Sequence, residues 1–155
     1  MDEVALTPIA MVLRLVLASV VGGAIGYERR LHRKSIGIGG MMLVALGSAV
    51  YMLLAKHLTQ TDPSAIGRLL QGFFSGIGFL GGAVIFKGGT DVHGIKTAAA
   101  IWITGAIGLA IGTAAWWLGV IAGAVTALIL FVTDMMGGEQ RQEEAKAAQA
   151  EARSS

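Results

Sequence analysis

The chain has 155 residues, 54% of them hydrophobic and only 14% charged. Soluble domains carry about 25% charged residues, so the deficit indicates a chain dissolved mostly in lipid, with room for one domain. A formal net charge of +2 is too small to suggest nucleic acid, and the absence of cysteine excludes disulfide and thiolate chemistry.

Five apolar spans can be drawn. The chain opens with Asp2 and Glu3 rather than the basic start of a removable signal peptide. The first span covers residues 8–27, with Thr7 placed to cap it and Pro8 at the first helical position, where no amide donor is needed. The basic loop 28–34, ERRLHRK, ends it. The second span covers 36–54 and is followed by the turn KHLTQTDPS at 56–64.

The third span, 66–86, contains QGFFSGIGFLGGAVIF at 71–86 and reads as the central helix of the bundle. Gly72 and Gly76 share one face. Gly78 and Gly82 share another, about 200° away, so neighbouring backbones could approach from both sides. A loop at 87–96, a fourth span at 97–112 and a fifth at 116–135 follow. The short link Thr113-Ala114-Ala115 makes the last two an antiparallel hairpin. The tail 137–155 is polar and alanine-rich, either a solvated helix or a frayed segment. The expected division is a five-helix membrane domain at 1–136 and a cytoplasmic tail at 137–155.

Charge sets the expected orientation. Arg29, Arg30, Arg33, Lys34, Lys87, Lys96, Arg141, Lys146 and Arg153 fall on one side of a five-span bundle, against Lys56 and Arg68 on the other. Basic residues collect on the cytoplasmic side, which places the N-terminus outside and the C-terminus in the cytoplasm. The fold class is therefore all-α, a polytopic transmembrane bundle.

Small residues four apart recur in the pairs Gly22/Gly26, Gly72/Gly76, Gly78/Gly82, Gly108/Gly112 and Gly119/Gly123. They indicate close helix packing within the chain, and the same pattern suits a homodimer seam. Arg14 lies inside the first span, about 9 Å from Pro8 at 1.5 Å per residue. It either snorkels to the outer surface or joins Arg68 and Gln71 in a functional polar cluster. At the inner side Glu28, Asp91 and Asp134 are carboxylates of a kind that could serve Mg²⁺. Ion pairing explains them more simply, because Arg29, Arg30, Lys87 and Lys96 are near in sequence. His32 and His93 are isolated, with no metal-ligand spacing. No nucleophile–base pair, phosphate loop or redox motif is present, so neither an enzyme nor a cofactor is expected.

Three blocks carry a family resemblance. They are Arg14-Leu15 through Gly22 to Gly26-Tyr27-Glu28-Arg29; Leu43-Val44-Ala45-Leu46-Gly47; and Arg68, Gln71 and GIGFLG at 76–81, continuing to Thr97-Ala98-Ala99, Trp102 and Gly108. They resemble the MgtC/SapB family of bacterial membrane proteins. Three places depart from its pattern: Gly39-Gly40 stand where it has Arg-Thr, Gly81-Gly82-Ala83 stand where it has Gly-Ala-Gly, and Lys96 stands where it has a first Thr before Thr97. The resemblance implies a multi-pass protein of the bacterial inner membrane, linked to magnesium homeostasis, acid stress and intracellular survival. It implies a regulator whose partner is a membrane protein such as an ATPase. The alternative is an oligomeric ion or small-solute channel or transporter.

Overall fold

The computed structural model describes residues 7–31, 36–58, 63–88, 91–113 and 115–154. Five helices account for nearly all of it: α1 (Pro8–Leu31), α2 (Ile38–Leu58), α3 (Pro63–Gly82), α4 (Ile95–Gly112) and α5 (Trp116–Ser154). The start of α1 is as the residues dictate. Thr7 Oγ1 accepts from the Ala10 amide at 3.3 Å and the Thr7 carbonyl from the Met11 amide at 3.1 Å. Pro8 then opens the helix where its missing donor costs nothing. α5 runs without a break into the polar tail.

Residue-to-residue approaches give the topology. Gly22 and Gly26 of α1 meet Met41 and Ile38 of α2, so these helices are antiparallel. Gly108 and Gly112 of α4 meet Ala45 and Ala49, so α4 runs parallel to α2. α3 lies antiparallel to α4, with Gly81 beside Ala98 and Ile77 beside Gly105. α5 returns along α4 and parallel to α1, with Gly119 against Ile111 and Gly123 against Val21. The chain thus crosses the bundle five times, alternating in direction. By length and composition α1, α2, α4 and the Trp116–Met136 part of α5 can each cross a membrane. α3, which carries Arg68, Gln71 and six glycines, is not among those four, but it must return across the bundle because α2 and α4 run parallel.

The bundle is centred on α4, which corrects the expectation for 71–86. α4 contacts all four other helices and buries Ala100, Ile101, Thr104, Ile107 and Ile111. α3 lies at the edge, packed mainly on α4, with Phe79 82% exposed. A methyl group built on Gly76, Gly78 or Gly82 would meet nothing within 4 Å, and on Gly72 only Tyr51 Oη at 3.9 Å. These four α3 glycines therefore do not hold this chain together. The glycines of α1 and α4 do. A methyl on Gly22 would lie 2.5 Å from the Met41 carbonyl oxygen, one on Gly26 2.7 Å from Ile38 Cα, and one on Gly112 2.9 Å from the Ala49 carbonyl oxygen. On Gly108 it would collide with the Ala45 carbonyl. Since lipid supplies no hydrophobic drive between helices, such backbone approach is the main source of cohesion.

A second correction concerns 83–96. α3 ends at Gly82 rather than near Phe86, and the expected loop contains a hairpin of β1 (Phe86–Gly88) and β2 (Asp91–His93). The strands are antiparallel, with Phe86 opposite His93. Gly94 then takes φ 89°, a left-handed conformation natural to glycine, and a methyl there would collide with the Val84 carbonyl. This sharp junction starts α4 at Ile95.

Replacing Gly108 with leucine should cost about 1–3 kcal/mol or more, the usual range for overpacking, and lower the yield of monodisperse protein after detergent extraction. Gly76→Leu should leave the fold of the single chain intact. Size-exclusion profiles and thermal midpoints of the two variants side by side check this; equal loss for both would restore α3 to the centre.

Candidate functional site: a buried ion-pair network at one end of the bundle

Four charged residues from three helices meet where α1 ends, α4 begins and α5 leaves the bundle. Glu28 and Arg29 lie in the last turns of α1, which continues past residue 27 to Leu31. The close contact of Gly26 with Ile38 brings this end of α1 against the start of α2 and turns Arg29 inward. Arg29 is 0% exposed. Its Nε donates to Glu28 Oε2 at 2.5 Å and its Nη2 to Asp134 Oδ2 at 2.6 Å. The other oxygen of Asp134, Oδ1, accepts from Lys96 Nζ at 2.8 Å, and Lys96 Nζ also reaches the Thr133 carbonyl at 3.4 Å. Asp134 thus links Arg29 of α1 to Lys96 of α4 while belonging to α5.

The electrostatics explain the arrangement. Two carboxylates and two cations sum to zero, which is the condition under which burying an arginine is tolerable. Arg29 and Asp134 are enclosed, with side chains 0% and 6% exposed, while the Lys96 side chain is 49% exposed. The Arg29–Asp134 pair therefore lies in low dielectric, and Lys96 joins it to the solvated rim. Arg29 Nη1 is buried with no hydrogen-bond partner among the described residues. Among those residues there is no group of three or more His, Cys, Asp or Glu able to hold a metal ion. Both oxygens of Asp134 accept from cations, so the network clamps α1, α4 and α5 together at this end.

Of the charged residues singled out at this end, the structure brings together Glu28, Arg29, Lys96 and Asp134. Asp91 lies on β2, opposite Gly88, and its side chain is outside the described part. The full burial of Arg29 is the feature that sequence order concealed, because ERRLHRK reads as a solvated basic loop.

At the opposite end the expected cluster of Arg14, Arg68 and Gln71 does not assemble. Arg14 Nη1 donates to the Gly112 carbonyl at 3.3 Å, placing a cation at the C-terminus of α4, where helix carbonyls lack partners. Arg68 Nη1 reaches Ser64 Oγ at 3.3 Å, one turn away on its own helix, and Gln71 is exposed. The physical reason is the edge position of α3: it packs along α4 and touches α2 through Tyr51 Oη, which donates to the Leu69 carbonyl at 2.8 Å. Snorkelling alone does not describe Arg14 either, since its guanidinium ties α1 to α4. Between α4 and α5 runs an apolar groove of about 500 Å³, bordered by Trp102, Ile103, Ile129 and Leu130, with Lys96 and Thr133 at one end.

Arg29→Met leaves Glu28 and Asp134 buried without their shared cation and should destabilise the bundle by about 3–5 kcal/mol. Lys96→Met removes a half-exposed partner at the rim, leaves Asp134 its bond to Arg29, and should cost clearly less than Arg29→Met. Thermal unfolding of both variants in one detergent measures the ratio, and similar losses would show that Arg29 does not carry the clamp.

Residues 15–138 match the model of the MgtC family. The protein named "Putative magnesium transporter YhiD" from Escherichia coli K12 is 35% identical over 130 residues, covering 78% of this chain and 59% of the relative. Protein SrpB from Synechococcus elongatus is 38% identical over 130 residues, covering 76% and 71%. Protein MgtC from Salmonella typhimurium is 36% identical over 121 residues, covering 78% and 49%. The chain thus spans about half to three-fifths of the length of YhiD and MgtC. No solved structure matches. With a family model matching most of its length, and with long apolar helices in the same region, the chain is a multi-pass membrane protein and belongs to the MgtC family.

Proposed function

We propose that the chain is a non-enzymatic regulator in the bacterial inner membrane, acting by binding another membrane protein, such as an ATPase, under magnesium limitation or acid stress. The observation that supports this reading is the closed interior. The buried centre is built from Ala18, Ile25, Met41, Ala45, Ala49, Ile101, Ile107 and Ile111, joined by backbone contacts at the α1 and α4 glycines. The polar groups in it are separate and small. Ser48 Oγ donates to the Val44 carbonyl of its own helix, and Thr97 and Thr104 are single hydroxyls on α4. Arg14 belongs to one end of the bundle and the Arg29 network to the other, with apolar packing between them. An ion crossing one such bundle would have to shed water with only scattered single hydroxyls among the described residues to replace it.

The rival reading is an ion or small-solute transporter, and the name of YhiD favours it. A transport path would then need an oligomer, because it cannot run through the centre of one chain without rearrangement. Purified protein in liposomes should produce no Mg²⁺ or proton flux above protein-free vesicles, while the same gene should restore growth of a deletion strain at low magnesium. Flux that depends on the protein and disappears in Arg29→Met would overturn the regulatory reading.

The orientation belongs to the same proposal, with the network end cytoplasmic. A reporter joined after Ser155 should be active only as a cytoplasmic fusion, and one inserted at 59–62 only as a periplasmic fusion. The motive is the excess of Lys and Arg at the network end. A periplasmic C-terminus would reverse the assignment.

A further inference from the structure

We propose that the outward face of α3 is the seam along which two copies of this chain pair in the membrane. Arg68, Gln71, Gly72, Ser75, Phe79 and Gly82 fall within about 100° of one another at 100° per residue, on the side of α3 opposite Ile77, which packs on Gly105. All six are exposed or open in the single chain except where Gly72 nears Tyr51. Gln71 lies eight residues into the 20-residue helix, about 12 Å from its start, and so near the middle of the crossing. Ser75 follows one turn later. An amide and a hydroxyl at that depth cannot be hydrated and are costly against acyl chains, so polar side chains there face protein.

The chemistry of the face selects its occupant. Membrane insertion gives both copies the same orientation, so a twofold axis along the membrane normal sets α3 parallel to its partner and brings each residue of the face near its own copy. A glutamine amide is donor and acceptor at once, and so is a serine hydroxyl, so each can pair with its twin. Gly72 and Gly82 leave room for the backbones to close. Arg68 is the one group that cannot pair with itself. It is only five residues into α3, about 7.5 Å, where the long side chain can reach the head-group region and its water. Pairing requires only that α3 be embedded, and it is independent of any regulatory role.

The absence of cysteine in the chain makes the test direct. Single variants Ser75→Cys and, on the outward face of α1, Val16→Cys are expressed and oxidised in native membranes with copper phenanthroline and air, each disulfide forming from two thiols that pass two electrons to oxygen. Ser75→Cys should give a disulfide-linked dimer and Val16→Cys should not, since the bond needs Cα atoms within about 7 Å. In a second measurement, photobleaching steps of labelled protein in liposomes at low density should show pairs. Gln71→Leu should weaken pairing roughly three- to tenfold, the range for one interhelical hydrogen bond in lipid. Its thermal midpoint should be unchanged, because Gln71 is exposed in the single chain. Single-step bleaching of the unaltered protein, equal cross-linking at both positions, or cross-linking of Ser75→Cys only to a different protein would each overturn the proposal.

Discussion

Everything in this bundle depends on how closely α2 is approached by α1 on one side and α4 on the other. Gly22 and Gly26 set α1 on the backbone of Met41 and Ile38, and Gly108 and Gly112 set α4 on the carbonyls of Ala45 and Ala49. In water such a core would be held by expelled solvent. In lipid it is held by dispersion across short distances, which is lost as soon as a side chain intervenes. That is why Ala18, Ala45, Ala49 and Ala100 line the centre, although each alone buries little surface.

The ion-pair network follows from that packing. Once Gly26 draws the end of α1 inward, Arg29 has no path to water and must find its counter-charges inside. Glu28 supplies one from the adjacent residue and Asp134 the other from a helix more than 100 positions away in sequence. Lys96 balances the second carboxylate and carries the network to the surface. Removing one member therefore affects three helices. The same end of α4 is set by Gly94, whose left-handed backbone turns the β1–β2 hairpin into the helix.

α3 stands apart from this logic. Its inner face meets α4 through Phe73, Ile77 and Gly81, and Tyr51 contacts it from α2 both by the hydrogen bond to Leu69 and by a ring approach to Phe73 at 5.2 Å. Its outer face mixes Arg68, Gln71, Ser75 and glycines with the exposed Phe79, where the outer faces of α1 and α5 are mainly Val, Leu and Ile.

The crossings were legible in the sequence because apolar length and loop charge are local properties. Pro8 and Thr7 marked the start of α1, and the short link at 113–115 marked the α4–α5 hairpin. The three family-like blocks also lie in the sequence itself, and the match over 15–138 bears them out. Spacing of glycines, in contrast, says only that a helix has a smooth face. It does not say what lies against that face, so Gly76 and Gly108 look alike in the chain although one is open and the other pressed on Ala45. Arg29 in a basic loop and Arg14 near Arg68 in depth were likewise ambiguous, since depth along the membrane fixes neither the angle around a helix nor its neighbour. Tertiary packing decided those: it put α4 at the centre, sent Arg14 to Gly112, and closed Arg29 between Glu28 and Asp134, because a partner across the bundle is a property of helix arrangement and not of sequence order.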